Sequence, residues 1–114
     1  MRAIKRQEIL QHLQDKNPMT LVEALPEKYY RDGHLPGAIQ LDHDKVRERA
    51  AAALPDKKAF IVVYCANTPC QNSGIAAKTL EAMGYTNVAE YVEGKQDWTE
   101  AGLSLEPSKL AATV

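Results

Sequence analysis

Polar and apolar positions along the chain switch repeatedly between the spacing of a helix and that of a strand. In the first segment Ile9, Leu10 and Leu13 share one stripe at helical spacing. This predicts a helix over residues 4–14, ended ahead of Asn17-Pro18 because a residue preceding proline avoids the α region. Thr20-Leu21-Val22-Glu23 reads as a short strand. Pro26 suits a helix's first turn and predicts a helix over Glu27 to Asp32, closed by Gly33 at a left-handed position. Ala38-Ile39 then reads as a second strand, and Asp44 as the N-cap of a helix that runs towards Leu54 and stops at Pro55-Asp56.

Phe60-Ile61-Val62-Val63-Tyr64 is the most strand-like stretch. Its apolar residues run without alternation, as burial on both faces requires, so it should lie in mid-sheet. A polar loop from Cys65 to Asn72 follows, and then a helix from Ser73 with Ala76, Leu80 and Met83 on one stripe and Gly84 as terminator. Asn87 to Tyr91 returns to strand spacing, Gly94 precedes a short helix through Trp98, and residues 107–114 read as a tail docked loosely or frayed. Strands separated by helices predict parallel βαβ units with right-handed crossovers, and so an α/β open sheet with helices on both faces.

Composition narrows the function classes. With 114 residues, 45% of them apolar and 25% charged, the chain fits one globular domain with a real core, spanning 1–114. Fourteen basic residues against fifteen acidic ones leave a formal net charge of −1. No single-sign field exists to hold a polyanion, so neither nucleic acid nor an anionic membrane is an expected partner. No apolar run approaches the ~20 residues of a membrane span, and the charged start, Met1-Arg2-Ala3-Ile4-Lys5-Arg6, offers no export signal. The expected compartment is therefore a reducing cytoplasm, where two cysteines neither staple a fold nor complete a zinc site. No metal or cofactor is expected.

Open α/β sheets bind ligands beyond the carboxyl ends of their strands, and Cys65 sits at such an end. Its loop finishes at Asn72-Ser73, read as the cap of the next helix, so loop N–H groups and the helix dipole can both face a thiolate at Cys65. A thiolate is the nucleophilic form, and Cys65 is the expected catalytic residue. Ala66, Asn67, Thr68, Pro69, Cys70, Gln71, Asn72 and Ser73 are the expected substrate-binding loop.

Three stretches carry a resemblance to single-domain rhodaneses, a family of sulfurtransferases. Gly33-His34-Leu35-Pro36-Gly37-Ala38, within Tyr30 to Ile39, is similar to the family's first signature. Ile61-Val62-Val63-Tyr64-Cys65 resembles the strand that ends at the persulfide-forming cysteine. Gly84-Tyr85-Thr86-Asn87-Val88, followed by Gly94, Trp98 and Ala101-Gly102-Leu103, resembles the closing signature. The likeness covers roughly Thr20 to Leu105 and implies an open parallel sheet of about five strands. It also implies sulfur transfer from a small anionic donor such as thiosulfate, through a Cys65 persulfide, to a thiol, cyanide or protein acceptor. Alternatives are a non-catalytic partner-binding or redox-sensing domain, and a cysteine phosphatase or arsenate reductase. The last would need Arg at position 71, where the chain has Gln71.

The departures from the family pattern are informative. Glu23-Ala24-Leu25 stands where members often have Asp-x-Arg, removing an expected buttressing ion pair. Glu93-Gly94 replaces paired glycines, and the active loop is longer by about two residues and holds Cys70. A branch with a Tyr-Cys-x4-Cys-x2-Ser loop is the closer likeness. Cys70 is open to three roles: resolving Cys65 as an internal disulfide, carrying sulfur itself, or filling the loop. His34 is expected to pin backbone, His12 to lie on the surface of the first helix and Trp98 to pack, while Arg31 and Lys95 are expected on a positive rim.

Overall fold

A computed structural model describes residues 1–107. The chain runs β1 (Arg2–Ala3), α1 (Arg6–Asp15), β2 (Thr20–Glu23), α2 (Glu27–Asp32), β3 (Ile39–Gln40), α3 (Val46–Ala53), β4 (Ile61–Tyr64), α4 (Asn72–Ala82), β5 (Val88–Tyr91) and α5 (Gly94–Glu100). All strand pairs are parallel, in the order β1-β5-β4-β2-β3. The fold is thus an α/β five-stranded parallel sheet with β4 at its centre. Residues 108–114, most of the tail read from the sequence, lie outside the described residues.

Central position follows from composition. Every residue of β4 is buried, and its side chains alternate between two cores. Ile61 and Val63 join Val46, Ala50, Ala76 and Leu80 under α3 and α4, whereas Val62 and Tyr64 join Ile9, Tyr91 and Trp98 under α1 and α5. A strand clothed by helices on both faces has no solvent face to offer polar residues. Among the described residues no helix is long and apolar enough to cross a membrane.

Four local expectations are corrected. Arg2–Ala3 pairs with Ala89 and Glu90 as an edge strand, so the first helix begins at Arg6 and Ile4 is a buried residue between the two. Two residues are too short a window to show any period, and β1 exists only through its pairing. Asp44 does not cap α3, whose cap is Lys45 without a side-chain hydrogen bond; Asp42 turns that corner instead, accepting from the His43 N–H at 2.8 Å. Gly33 ends α2 at φ 151° and ψ 136°, an extended conformation with φ carried past 180° rather than a left-handed helical one, with Leu105 packed where a side chain would lie. Lastly, His12 is half-buried beside the Phe60 ring rather than lying on the surface.

His34 takes the backbone-pinning role expected of it. Its Nδ1 lies 2.9 Å from the Tyr30 carbonyl oxygen, its ring stacks on Tyr30, and its backbone pairs with Glu106 in an isolated antiparallel bridge. Trp98 is buried and donates to the Ser104 carbonyl at 3.0 Å.

Candidate active site

Cys65 leaves the carboxyl end of β4 and is fully buried. What fixes its backbone is α5. The N–H groups of Lys95 and Gln96 donate to the carbonyls of Cys65 and Ala66 at 3.0 and 2.9 Å, so the start of that helix is clamped across the start of the loop. So close an approach requires Gly94. It sits at φ +62°, and a Cβ there would lie 2.3 Å from the Cys65 carbonyl oxygen. The single glycine of Glu93-Gly94 therefore occupies the position where the backbone contact is made.

The loop brings its two cysteines together. Cys70 is joined to Cys65 as a disulfide, with Cα atoms 6.4 Å apart, inside the ordinary span of such a bridge. A turn closed by the Cys70 N–H on the Asn67 carbonyl, 3.1 Å, folds it back. Ala66 and Asn67 are half-buried, whereas Thr68, Pro69 and Gln71 are exposed on the outer side of the loop.

Asn72 and Ser73 do not cap α4; its cap residue is Gln71, with no side-chain hydrogen bond. Ser73 is buried, and its hydroxyl donates to Glu90 Oε2 at 2.7 Å while its oxygen stands 3.3 Å from Cys65 Sγ. Glu90, on β5, was absent from the sequence-derived site. Its position opposite Val63 in the β4–β5 register turns it towards the start of α4, and only the register shows this. A carboxylate at a helix N-terminus is electrostatically favourable. It also partly cancels, for Cys65, the field that the helix end supplies.

The buttressing ion pair expected to be missing is present with other partners. Glu23, fully buried at the end of β2, accepts from the Tyr64 hydroxyl at 2.9 Å, and Lys95 Nζ stands 3.0 Å from its other oxygen while donating to the Tyr29 carbonyl at 2.8 Å. Burial raises the Glu23 carboxyl above its usual range, opposed by Lys95. Burial and the neighbouring Glu23 together hold the Tyr64 phenol far above its own. Lys95 is thereby taken off the rim, and Arg31 is spent on an exposed pair with Glu27. A cation beside the loop is Lys78, which lines an open depression of about 320 Å³ together with Cys70, Gln71, Gly74 and Glu90.

The chain matches the rhodanese-like domain family over residues 5–101. It is 42% identical over 64 residues to the thiosulfate sulfurtransferase PspE of Escherichia coli, covering 56% of this chain and 59% of that one. An HTH-type transcriptional regulator of Mycobacterium tuberculosis is 31% identical over 104 residues, 91% of this chain and 44% of that one. The chain thus spans about half the length of these curated relatives. A solved rhodanese with anions from E. coli superposes with a TM-score of 0.61 at 35% identity, over 69% of this chain and 89% of that one. With the parallel five-stranded sheet, the cysteine at the end of its central strand and a family match over nearly the whole described length, this chain belongs to the rhodanese-like domain family.

Proposed function

We propose that the domain is a sulfurtransferase, moving sulfane sulfur from a small anionic donor such as thiosulfate through a Cys65 persulfide to a thiol, cyanide or protein acceptor. The observation that carries this reading is Cys65 itself, placed at the carboxyl end of β4 and held by α5 at the root of a loop that wraps back over it. Family membership and the activity named for the E. coli relative support it.

In the forward step Cys65 Sγ attacks the outer sulfur of thiosulfate. A sulfur–sulfur bond forms at Cys65, the donor's own sulfur–sulfur bond breaks, and sulfite leaves with the electron pair. Ser73 Oγ, 3.3 Å from Cys65 Sγ and with its own hydrogen committed to Glu90, holds the proton that Cys65 sheds before it attacks. Lys78 supplies the positive end of the approach. Ala66, Asn67, Thr68, Pro69, Cys70, Gln71, Asn72 and Ser73 form the binding loop. Neutral Gln71 at the sixth position after Cys65 ranks phosphate and arsenate chemistry below sulfur transfer, because a transferring phosphoryl group needs the charge that arginine would bring. A reducing compartment such as the cytoplasm suits a site whose nucleophile is a free thiol.

The test is turnover of thiosulfate to sulfite by the reduced protein, with cyanide as acceptor and dithiothreitol kept in excess throughout. Cys65→Ser should abolish it, and Lys78→Ala should raise KM for thiosulfate several-fold with little change in kcat. Turnover that persists in Cys65→Ser contradicts the assignment. A folded, reduced wild type without turnover would favour the partner-binding or redox-sensing alternative.

A further inference from the structure

The joined sulfurs bear on where the transferred sulfur goes. Resting on the sulfurtransferase reading above, we infer that Cys70 is a resolving cysteine, which expels the sulfur held by Cys65 as hydrosulfide and leaves the Cys65–Cys70 disulfide. The structure holds this end state. A persulfide on Cys65 has two sulfurs open to attack, and each outcome needs a different contact. A carrier role for Cys70 requires its sulfur to reach the outer one. Resolution requires it to reach Cys65 Sγ, the inner one, and that is the atom to which Cys70 is joined.

The step balances without any further oxidant. Cys70 thiolate attacks Sγ of the Cys65 persulfide, the bond between the two side-chain sulfurs forms, and the bond from Cys65 to its outer sulfur breaks. The electron pair and the persulfide proton leave together as hydrosulfide. The sulfane sulfur gains two electrons, one from each cysteine. A second turnover requires a dithiol reductant, which returns both cysteines to thiols and is itself oxidised to a disulfide.

Accessibility suits this order of events. Cys65 is fully buried in the joined form, so a donor cannot reach its sulfur, whereas Cys70 lines the depression shared with Gln71, Gly74, Lys78 and Glu90. An incoming thiol therefore meets Cys70 first, forms the mixed disulfide there and releases Cys65 as the leaving thiolate. Lys78 beside the same opening favours the approach of a thiolate and the exit of hydrosulfide.

The experiment is a single turnover. Reduced wild type, Cys70→Ser and Cys65→Ser are freed of reductant under anaerobic conditions and mixed with one equivalent of thiosulfate. Sulfite, hydrosulfide, free thiols and intact mass are then followed. Wild type should release sulfite and hydrosulfide in equal amounts, lose both thiols and end lighter by two hydrogens. Cys70→Ser should release sulfite but keep the extra sulfur, with hydrosulfide appearing only when dithiothreitol is added. Cys65→Ser should release neither. Wild type that releases sulfite yet retains the extra sulfur, on either cysteine, overturns the resolving role and leaves sulfur transfer standing. Equal hydrosulfide release from wild type and Cys70→Ser does the same. Absence of sulfite from every protein overturns both readings at once.

Discussion

Two electrostatic influences oppose each other at Cys65. The start of α4, whose Ser73 stands 3.3 Å from Cys65 Sγ, favours a thiolate through the helix dipole. Ser73 acts the other way. Its hydroxyl hydrogen is committed to Glu90, so its oxygen faces the sulfur as an acceptor and holds the proton on the thiol. Removing the charge by Glu90→Gln should move the pH midpoint of Cys65 alkylation in the reduced protein downwards, because a neutral amide no longer repels the thiolate and frees the Ser73 hydrogen to turn towards it. The measurement is the rate of iodoacetamide alkylation against pH, made in a Cys70→Ser background so that one thiol reports. An unchanged midpoint would remove Glu90 from the site. Of this arrangement only Cys65, Ser73 and the loop between them were legible in the sequence. Glu90 was not, because a carboxylate in an apolar strand reads as an outward-facing residue until the β4–β5 register turns it to α4.

The elements around the site depend on one backbone contact and one buried ion pair. Gly94→Ala places a methyl group 2.3 Å from the Cys65 carbonyl oxygen at a positive φ. The expected loss is about 2–4 kcal/mol of stability, read as a lower urea midpoint, together with loss of sulfur transfer as α5 moves off the loop. Wild-type stability in that variant would mean the clamp is not tight. Glu23 gives a pH-dependent test. Its carboxyl is raised by burial against the opposing Lys95, so the folded state holds that proton more firmly than the unfolded chain. The stability it contributes is full below the unfolded carboxylate value and declines as pH rises through the raised folded one. Compared with Glu23→Gln between about pH 4 and 7, wild type should therefore lose relative stability as pH rises, in paired denaturation curves. The opposite slope would mean that Lys95 outweighs burial. Helix and strand positions were readable because apolar period and glycine or proline stops coincide with them, as in β2, α2 and α4. The Glu23–Lys95 pair was not, since 72 positions of chain separate two residues whose proximity comes from β2 and α5 meeting at one end of the sheet.

At the scale of the whole molecule, the sheet order β1-β5-β4-β2-β3 puts the strand with the most continuous apolar run at the centre and the cysteine at its end. Both features were visible in Phe60 to Cys65, because burial on two faces dictates composition directly. The edge was not visible. β1 is two residues long, both exposed, and its place beside β5 is set by hydrogen bonding such as the Ile4 N–H to the Glu90 carbonyl at 3.0 Å, which no side-chain pattern encodes.

Everything proposed for the site rests on sulfur becoming covalently held at Cys65. The most direct measurement is peptide-resolved mass spectrometry of reduced Cys70→Ser protein after thiosulfate, since that variant lacks the thiol that would discharge the intermediate. One additional sulfur on the peptide bearing Cys65, removed by dithiothreitol and absent after Cys65 has been alkylated beforehand, is the expected result. Sulfite release with no sulfur at Cys65, or an added sulfur that persists in Cys65→Ser, would contradict it.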